Sequence, residues 1–175
     1  MYNAFGSREA SVGAPVDELD ARIVQLFAAE PRVGVLEASR RLGVARGTIQ
    51  ARLDRLARSG VIRGWGPQVD PAALGFGVTA FATLELRQGA GHAAVTRHLA
   101  GIPEVMEAHT ISGSADMMTR LVARSNTDLQ RVIDELLAYD GIVRTSTVIV
   151  LATRLHSRAV PLLVRTAEED GRERP

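Results

Sequence analysis

The stretch RLGVARGTIQARLDRL, Arg41–Leu56, decides how this chain folds. Gly43 ends one amphipathic run, and a second begins after only two more residues. Glycine takes the positive φ that a sharp helix-to-helix turn requires. Downstream, Ile49, Leu53 and Leu56 fall on one helical face and Gly60 closes the run, which predicts a helix from about Arg46 to Ser59. Upstream, VLEASRRLG (35–43) predicts a shorter helix with Leu36, Ser39 or Arg40, and Leu42 about one turn apart. Further back, VDELDARIVQLFAAEP (16–31) puts Leu19, Ile23, Leu26 and Phe27 on one stripe, with Asp17 as cap and Pro31 as stop. Three short helices, the last two joined by a tight glycine turn, predict a helix-turn-helix.

The same stretch is dense in arginine. Arg40, Arg41, Arg46, Arg52, Arg55, Arg58 and Arg63 stand there against Asp54 alone, whereas from Pro71 to Leu155 seven arginines meet eight acids. The net charge of +1 conceals this local patch. Basic charge confined to one helical segment points to a polyanionic partner at that segment. Arginines line the wet face of any amphipathic helix, but here turn, apolar stripe and charge coincide, which favours DNA. There is no lysine in the chain, so the use of arginine carries little mechanistic weight by itself. On a helical wheel the face opposite Ile49, Leu53 and Leu56 holds Gly47, Ala51, Asp54 and Arg58. Gln50 lies on one flank of that face, and Thr48 and Arg55 lie on the other. Small residues at Gly47 and Ala51 let a helix sink into a major groove about 12 Å wide. Gln50, Thr48 and Arg55 are the candidates for base edges; Arg46, Arg52 and Arg58 are the candidates for phosphates. Arg41 flanks the preceding helix. Ala45 stands where a serine, threonine or aspartate would cap the helix, and Gly47 in its first turn weakens it by about 1 kcal/mol.

The rest of the composition excludes more than it assigns. A chain of 175 residues, 46% apolar and 23% charged, suits one medium domain or two small ones and buries a real core. No run approaches the roughly 18 apolar residues of a membrane helix. MYNAFGSREASVGAP (1–15) lacks the basic flank and apolar block of a signal peptide and reads as a flexible extension. The absence of cysteine removes disulfide and thiolate chemistry and fits a reducing cytoplasm. His92 and His98 are six apart and so do not share a helix face as an i, i+4 metal pair would. His109 falls on a strand and His156 in the tail, and no Ser–His–Asp set, phosphate-binding glycine loop or paired carboxylates stand out. We expect no catalytic residues, no metal and no cofactor.

Beyond the third helix, Val61-Ile62-Arg63 and Trp65 read as a short wing or linking strand, and Pro67, Pro71 and Gly75 mark a boundary. The second half alternates. VTAFATLELR (78–87) is a strand with Val78, Ala80, Ala82, Leu84 and Leu86 to one side. AGHAAVTRHLAGI has Val95, Leu99 and Ile102 at helical spacing. EVMEAHTIS and ADMMTRLVAR are strands around a turn at Gly113-Ser114. NTDLQRVIDELLAYDG carries Leu129, Val132, Ile133, Leu136 and Leu137 on one face, opened by a capping box at Thr127-x-x-Gln130. VRTSTVIVLATR is a β-branched strand. The order β-α-β-β-α-β predicts the split ferredoxin-like arrangement, four antiparallel strands with both helices on one face. The other face then carries Phe81, Met117 or Met118, and parts of 143–151. Such a face is unstable in water, so sheet-to-sheet pairing in a homodimer is predicted. HSRAVPLLVRTAEEDGRERP (156–175) has one apolar patch, Val160–Val164, and a charged end.

Taken in order, VDELDARIVQLF, Arg32, RRLGVARGTIQARLDRLARSGVIRGW, VDPAALG, IPEV, GSAD (113–116) and RTSTVIVL (144–151) resemble the leucine-responsive regulatory protein family, Lrp/AsnC, over about 140 of the 175 residues. The resemblance implies an α+β fold: an N-terminal winged helix-turn-helix, then a ferredoxin-like βαββαβ domain for dimerisation and ligand sensing. It implies a sequence-specific, DNA-binding transcriptional regulator in the cytoplasm. Its dimers would assemble to an octamer, and its effector would be an amino acid or related small metabolite. Carried over residue by residue, it implies that Ile111, Ser112, Gly113, Ser114 and Asp116 border the effector between dimers. The sequence departs from the family at Ala115, where a tyrosine usually precedes the aspartate, at Gly34, usually a capping serine, and at Ser39, usually small and apolar. The domain boundaries read as 1–15 extension, 16–65 helix-turn-helix, 66–76 linker, 77–155 ferredoxin-like domain and 156–175 tail. The competing readings are a constitutive architectural DNA binder without effector and a dimeric ferredoxin-like enzyme.

Overall fold

A computed structural model of the chain describes residues 14–172. The expected N-terminal extension lies outside the described residues except for its last two. Residues 14–67 group with 156–172 as one compact unit, and Gln68–Leu155 form the other.

The first unit contains α1 (Glu18–Ala29), α2 (Val35–Leu42) and α3 (Arg46–Arg58). A reciprocal capping box starts α1: Asp20 N donates to Asp17 Oδ1 at 2.9 Å, and Asp17 N donates to Asp20 Oδ2 at 3.0 Å. Gly43 has φ +70° and ends α2, so the chain turns into α3 through Val44 and Ala45. Ile23, Ala38, Ile49 and Leu53 form the core of these three helices, with Leu19, Leu26, Phe27, Val35 and Leu42 packed against it. The stripe expected on α2 is corrected: Leu36 is 51% exposed, while Ala38 and Ser39 are buried. Ser39 is tolerated there because its hydroxyl donates to Leu36 O at 2.8 Å.

No strand forms over 61–67 among the described residues, which corrects the expected wing or linking strand. The chain instead folds back on the end of α3. Gly60 at φ +77° brings Ile62 N to donate to Leu56 O at 3.0 Å, and Val61 and Ile62 are drawn into the apolar packing. Trp65 meets the Phe27 ring edge-on at 5.6 Å.

The tail supplies an element that periodicity left open. Val160–Arg172 is a helix, α6, lying along α1, with Pro161 in the first turn where its missing N–H costs nothing. Val16, Ala21, Leu56 and Ala167 are the buried members of this second cluster, joined by Val24, Leu163 and Val164. Helix α1 is therefore apolar on two sides: one faces α2 and α3, the other faces α6.

The second unit begins with a single 3-10 turn at Ala72–Leu74. Phe76, in the stretch expected as linker, lies 4.7 Å beneath the Arg124 guanidinium. There follow β1 (Val78–Leu86), α4 (His92–Ala100), β2 (Val105–Thr110), β3 (Met117–Ala123), α5 (Asn126–Leu137) and β4 (Ile142–Ile149). All pairings in the sheet are antiparallel, in the order β2-β3-β1-β4. Its core is Ala80, Ala82, Leu84, Met117 and Leu121 against Val95, Leu99, Leu129, Val132 and Leu136. The cap of α5 differs from the expected one. Ser125, not Thr127, accepts from the backbone N–H three residues on, at Asp128, and Asp128 accepts from Arg124 N. Ser125 has the extended backbone of an N-cap, and Thr127 is already inside the helix.

On the other sheet face Phe81 and Val148 are cross-strand neighbours, 36% and 64% exposed. Met118 belongs to this face and Met117 to the core, which settles the choice between them: Met118 pairs with Thr83 and His109, while Met117 is 2% exposed.

Candidate nucleic-acid interface and effector turn

Burial of Ile49, Leu53 and Leu56 fixes which side of α3 faces out. Arg46, Gly47, Thr48, Gln50, Ala51, Asp54 and Arg58 are exposed. Gln50 Nε2 donates to Asp54 Oδ1 at 2.9 Å, a single-turn contact that holds the amide on the outer face. Helix α3 has no side-chain cap: Ala45 is extended, at φ −62° and ψ 144°, and its carbonyl accepts from Thr48 N and Ile49 N. The first backbone N–H groups of the helix thus keep their donors for an outside partner.

The arginines divide sharply. Arg41 donates to Glu30 at 2.6 Å and to Glu37 at 2.9 Å, and these bonds raise its guanidinium above its ordinary value. Arg40 lies 3.8 Å from Glu37. Arg52 Nη1 donates to both Asp17 oxygens at 2.6 Å and to Asp20 Oδ1 at 2.9 Å. Arg55 donates to Asp20 Oδ2 and, at 2.8 Å, to Pro15 O. Arg46, Arg58 and Arg63 form no ion pair among the described residues. Of the eight residues expected at DNA, six are therefore exposed and free of ion pairs among the described residues, and Arg52 and Arg55 are held on α1.

The residue that sequence reasoning missed is Asp20. Its side chain is 1% exposed, yet it meets two guanidinia. A carboxylate so buried persists only when paired. Burial works to raise the neighbouring Asp17 carboxyl, but the Arg52 hydrogen bond and charge, with the Asp20 backbone N–H, hold it below the usual carboxylate range. The signal was present as Asp17 and Asp20 one turn apart and Arg52 and Arg55 one turn apart.

The second site is the β2–β3 turn. Gly113 has φ +124°, a conformation that requires glycine, with nothing within 4 Å of where a Cβ would stand. Ile111 N donates to Asp116 O at 3.0 Å and closes the turn. Asp116 N donates to Leu84 O at 3.0 Å, and Asp116 Oδ2 accepts from Leu86 N at 2.7 Å. One carboxylate oxygen thus ties the turn to β1 where its pairing with β4 shifts register. Ile111 is half-buried, while Ser112, Gly113, Ser114 and Asp116 are exposed. The turn brings all five expected effector residues to one edge of the unit, open to the outside.

Two of the four histidines have structural partners. His98 stacks on Tyr139 at 5.3 Å, and its Nε2–H donates to Glu135 O at 3.0 Å. His109 lies 3.4 Å from Glu107. Among the described residues no three His, Cys, Asp or Glu side chains converge as a metal site, and no helix is long and apolar enough to cross a membrane.

Comparison with known proteins fits this division. Residues 16–63 match the winged helix-turn-helix DNA-binding family and residues 79–160 match the Lrp/AsnC ligand binding domain. The transcriptional regulator FL11 of Pyrococcus horikoshii is 30% identical over 148 residues, covering 85% of this chain and 97% of FL11. Regulatory protein AsnC of Escherichia coli K12 is 30% identical over 137 residues, covering 78% of this chain and 90% of AsnC. The solved structure of E. coli AsnC superposes with a TM-score of 0.77 at 28% identity, covering 83% of this chain and 99% of that one. These relatives are regulators, not enzymes. The chain belongs to the Lrp/AsnC family and is a DNA-binding helix-turn-helix transcriptional regulator with an Lrp/AsnC ligand-binding domain.

Proposed function

We propose that the exposed face of α3 reads a specific duplex sequence through Gln50 and Thr48, with Gly47 and Ala51 allowing close approach. Arg46 and Arg58, together with the uncapped backbone N–H groups of Arg46 and Gly47, hold phosphates on either side. The observation that carries this reading is the pairing pattern: among the described residues Arg46 and Arg58 meet no carboxylate, whereas Arg52 and Arg55 do. Arg52 and Arg55, candidates from the wheel, act from behind the interface. A DNA target puts this work in the cytoplasm.

The exposed sheet face around Phe81 and Val148 supports a homodimer through the second unit, and the family supports further assembly to an octamer. An amino acid or related small metabolite binds at Ile111–Asp116 between dimers. There it favours one assembly geometry and so changes the spacing of the DNA-reading heads.

Fluorescence anisotropy with duplexes selected from a random library tests the DNA part. Gln50→Ala shifts preference at one base position by about 1–3 kcal/mol. Arg46→Gln or Arg58→Gln weakens binding to all sequences alike and lowers the slope of log K against log salt by about 0.9 each. An Arg46/Arg58 double variant that binds like the wild type contradicts the assignment. Melting and light scattering with a millimolar amino-acid panel test the sensing part, which fails if neither temperature nor oligomer size moves with any member.

A further inference from the structure

Asp20 lies on the side of α1 turned toward α3, one turn after the cap residue Asp17. Its two oxygens take separate guanidinia, Oδ1 from Arg52 at 2.9 Å and Oδ2 from Arg55. Arg52 is also held by both Asp17 oxygens, so it has a second anchor. Among the described residues Arg55 has only the Pro15 carbonyl besides Asp20 and is 39% exposed, beside the outer face that carries Gln50 and Ala51. Asp20 is therefore the charge that stands between Arg55 and a passing phosphate.

We propose that Asp20 is a positioning residue for DNA reading, a buried carboxylate that keeps Arg55 on α1 and withholds it from the phosphate backbone. This rests on the α3 reading above. The consequence is a limit on sequence-independent attraction. A guanidinium free to swing to phosphate strengthens binding to every duplex equally and so lowers the ratio of specific to random binding.

The salt dependence of binding by the intact protein separates this from a role in folding alone. In Asp20→Asn, Arg55 loses its charged partner and gains a phosphate. The slope of log K against log salt steepens by about 0.9, an extra loss of about 3.5-fold between 50 and 200 mM salt. The double variant Asp20→Asn/Arg55→Gln returns to the wild-type slope. A destabilised but otherwise unchanged reader shows the wild-type slope in both, and a folded Asp20→Asn protein with that slope overturns the proposal. If Asp20→Asn is unfolded at the assay temperature, Arg55→Gln alone decides. An unchanged slope supports the latch, and a fall of about 0.9 shows that Arg55 already touches phosphate and overturns it. Arg46→Gln, measured alongside, isolates the underlying reading: if its slope is unchanged, the α3 face is misassigned and the latch falls with it.

Discussion

Asp20 and Asp17 fasten α1 to α3 by charge at the point where the two helices also share a core. Truncating Asp20 to alanine leaves Arg52 and Arg55 without their shared buried partner, and such losses cost about 3–5 kcal/mol. Both guanidinia are partly solvated, at 27% and 39% exposure, so the lower end applies: denaturant melts should show a loss of about 3 kcal/mol. Acid acts on the same chemistry. Asp17 is held low by Arg52 and Asp20 against the pull of burial, and Asp128 by the Arg124 backbone N–H and then by Arg131. Near pH 4 the unfolded chain binds more protons at these groups than the folded one. Their contribution is thus complete above about pH 4 and fades as pH falls through the lower folded values. Melting temperature should hold from pH 7 to about 4 and then decline, and Asp128→Asn should make the decline shallower. The spacing of Asp17 with Asp20 and of Arg52 with Arg55 was visible in the sequence, but their pairing was not. Asp20 and Arg52 are separated by 32 positions, and periodicity places each on a helix face without saying which opposing face it meets.

At the scale of elements, the pattern of apolar residues was sufficient wherever one helix or strand face meets one core. The stripes of α1 and α3, the glycine turn at Gly43 and the alternation along β1 all appear where their spacing put them. The reading was incomplete where an element has two partners. Val24 breaks no period, but it belongs to a second face of α1 that only α6 explains. The wing failed for a local reason, because Gly60 returns the chain to α3 and spends Val61 and Ile62 on packing. Ending the chain after Arg158 uncovers Val16, Ala21 and Leu56. With Leu163 and Val164 half-buried and Ala167 buried, the lost contribution is about 2 kcal/mol. For a unit of this size that corresponds to a melting temperature lower by about 8–16 °C, readable by calorimetry. An unchanged melt would mean that the α6 packing contributes nothing. The proposal of an effector at the β2–β3 turn comes only from the family. From residues alone Gly113-Ser114 is a hairpin turn, and what distinguishes it is the bond from Leu86 N to Asp116 Oδ2.

At the scale of the whole molecule, the helical unit is discontinuous in sequence: the chain leaves it after Pro67 and re-enters it at His156. Two covalent connections join it to the sensing unit, where a simple two-domain reading has one. The sensing unit in turn carries an uncovered sheet face. Placing a charge at its centre, Phe81→Glu, should lower the mass seen by light scattering at micromolar concentration while leaving far-ultraviolet circular dichroism unchanged. A variant of undiminished mass contradicts pairing through that face. The measurement that bears most directly on the central claim is selection of duplexes from a randomised library by the intact protein and by Gln50→Ala. The account predicts a site of approximate two-fold symmetry, with half-sites spaced by one helical turn of DNA or a multiple of it. In the Gln50→Ala pool the preference should change at one position in each half. Enrichment of no sequence, or the same site from both proteins, would contradict it.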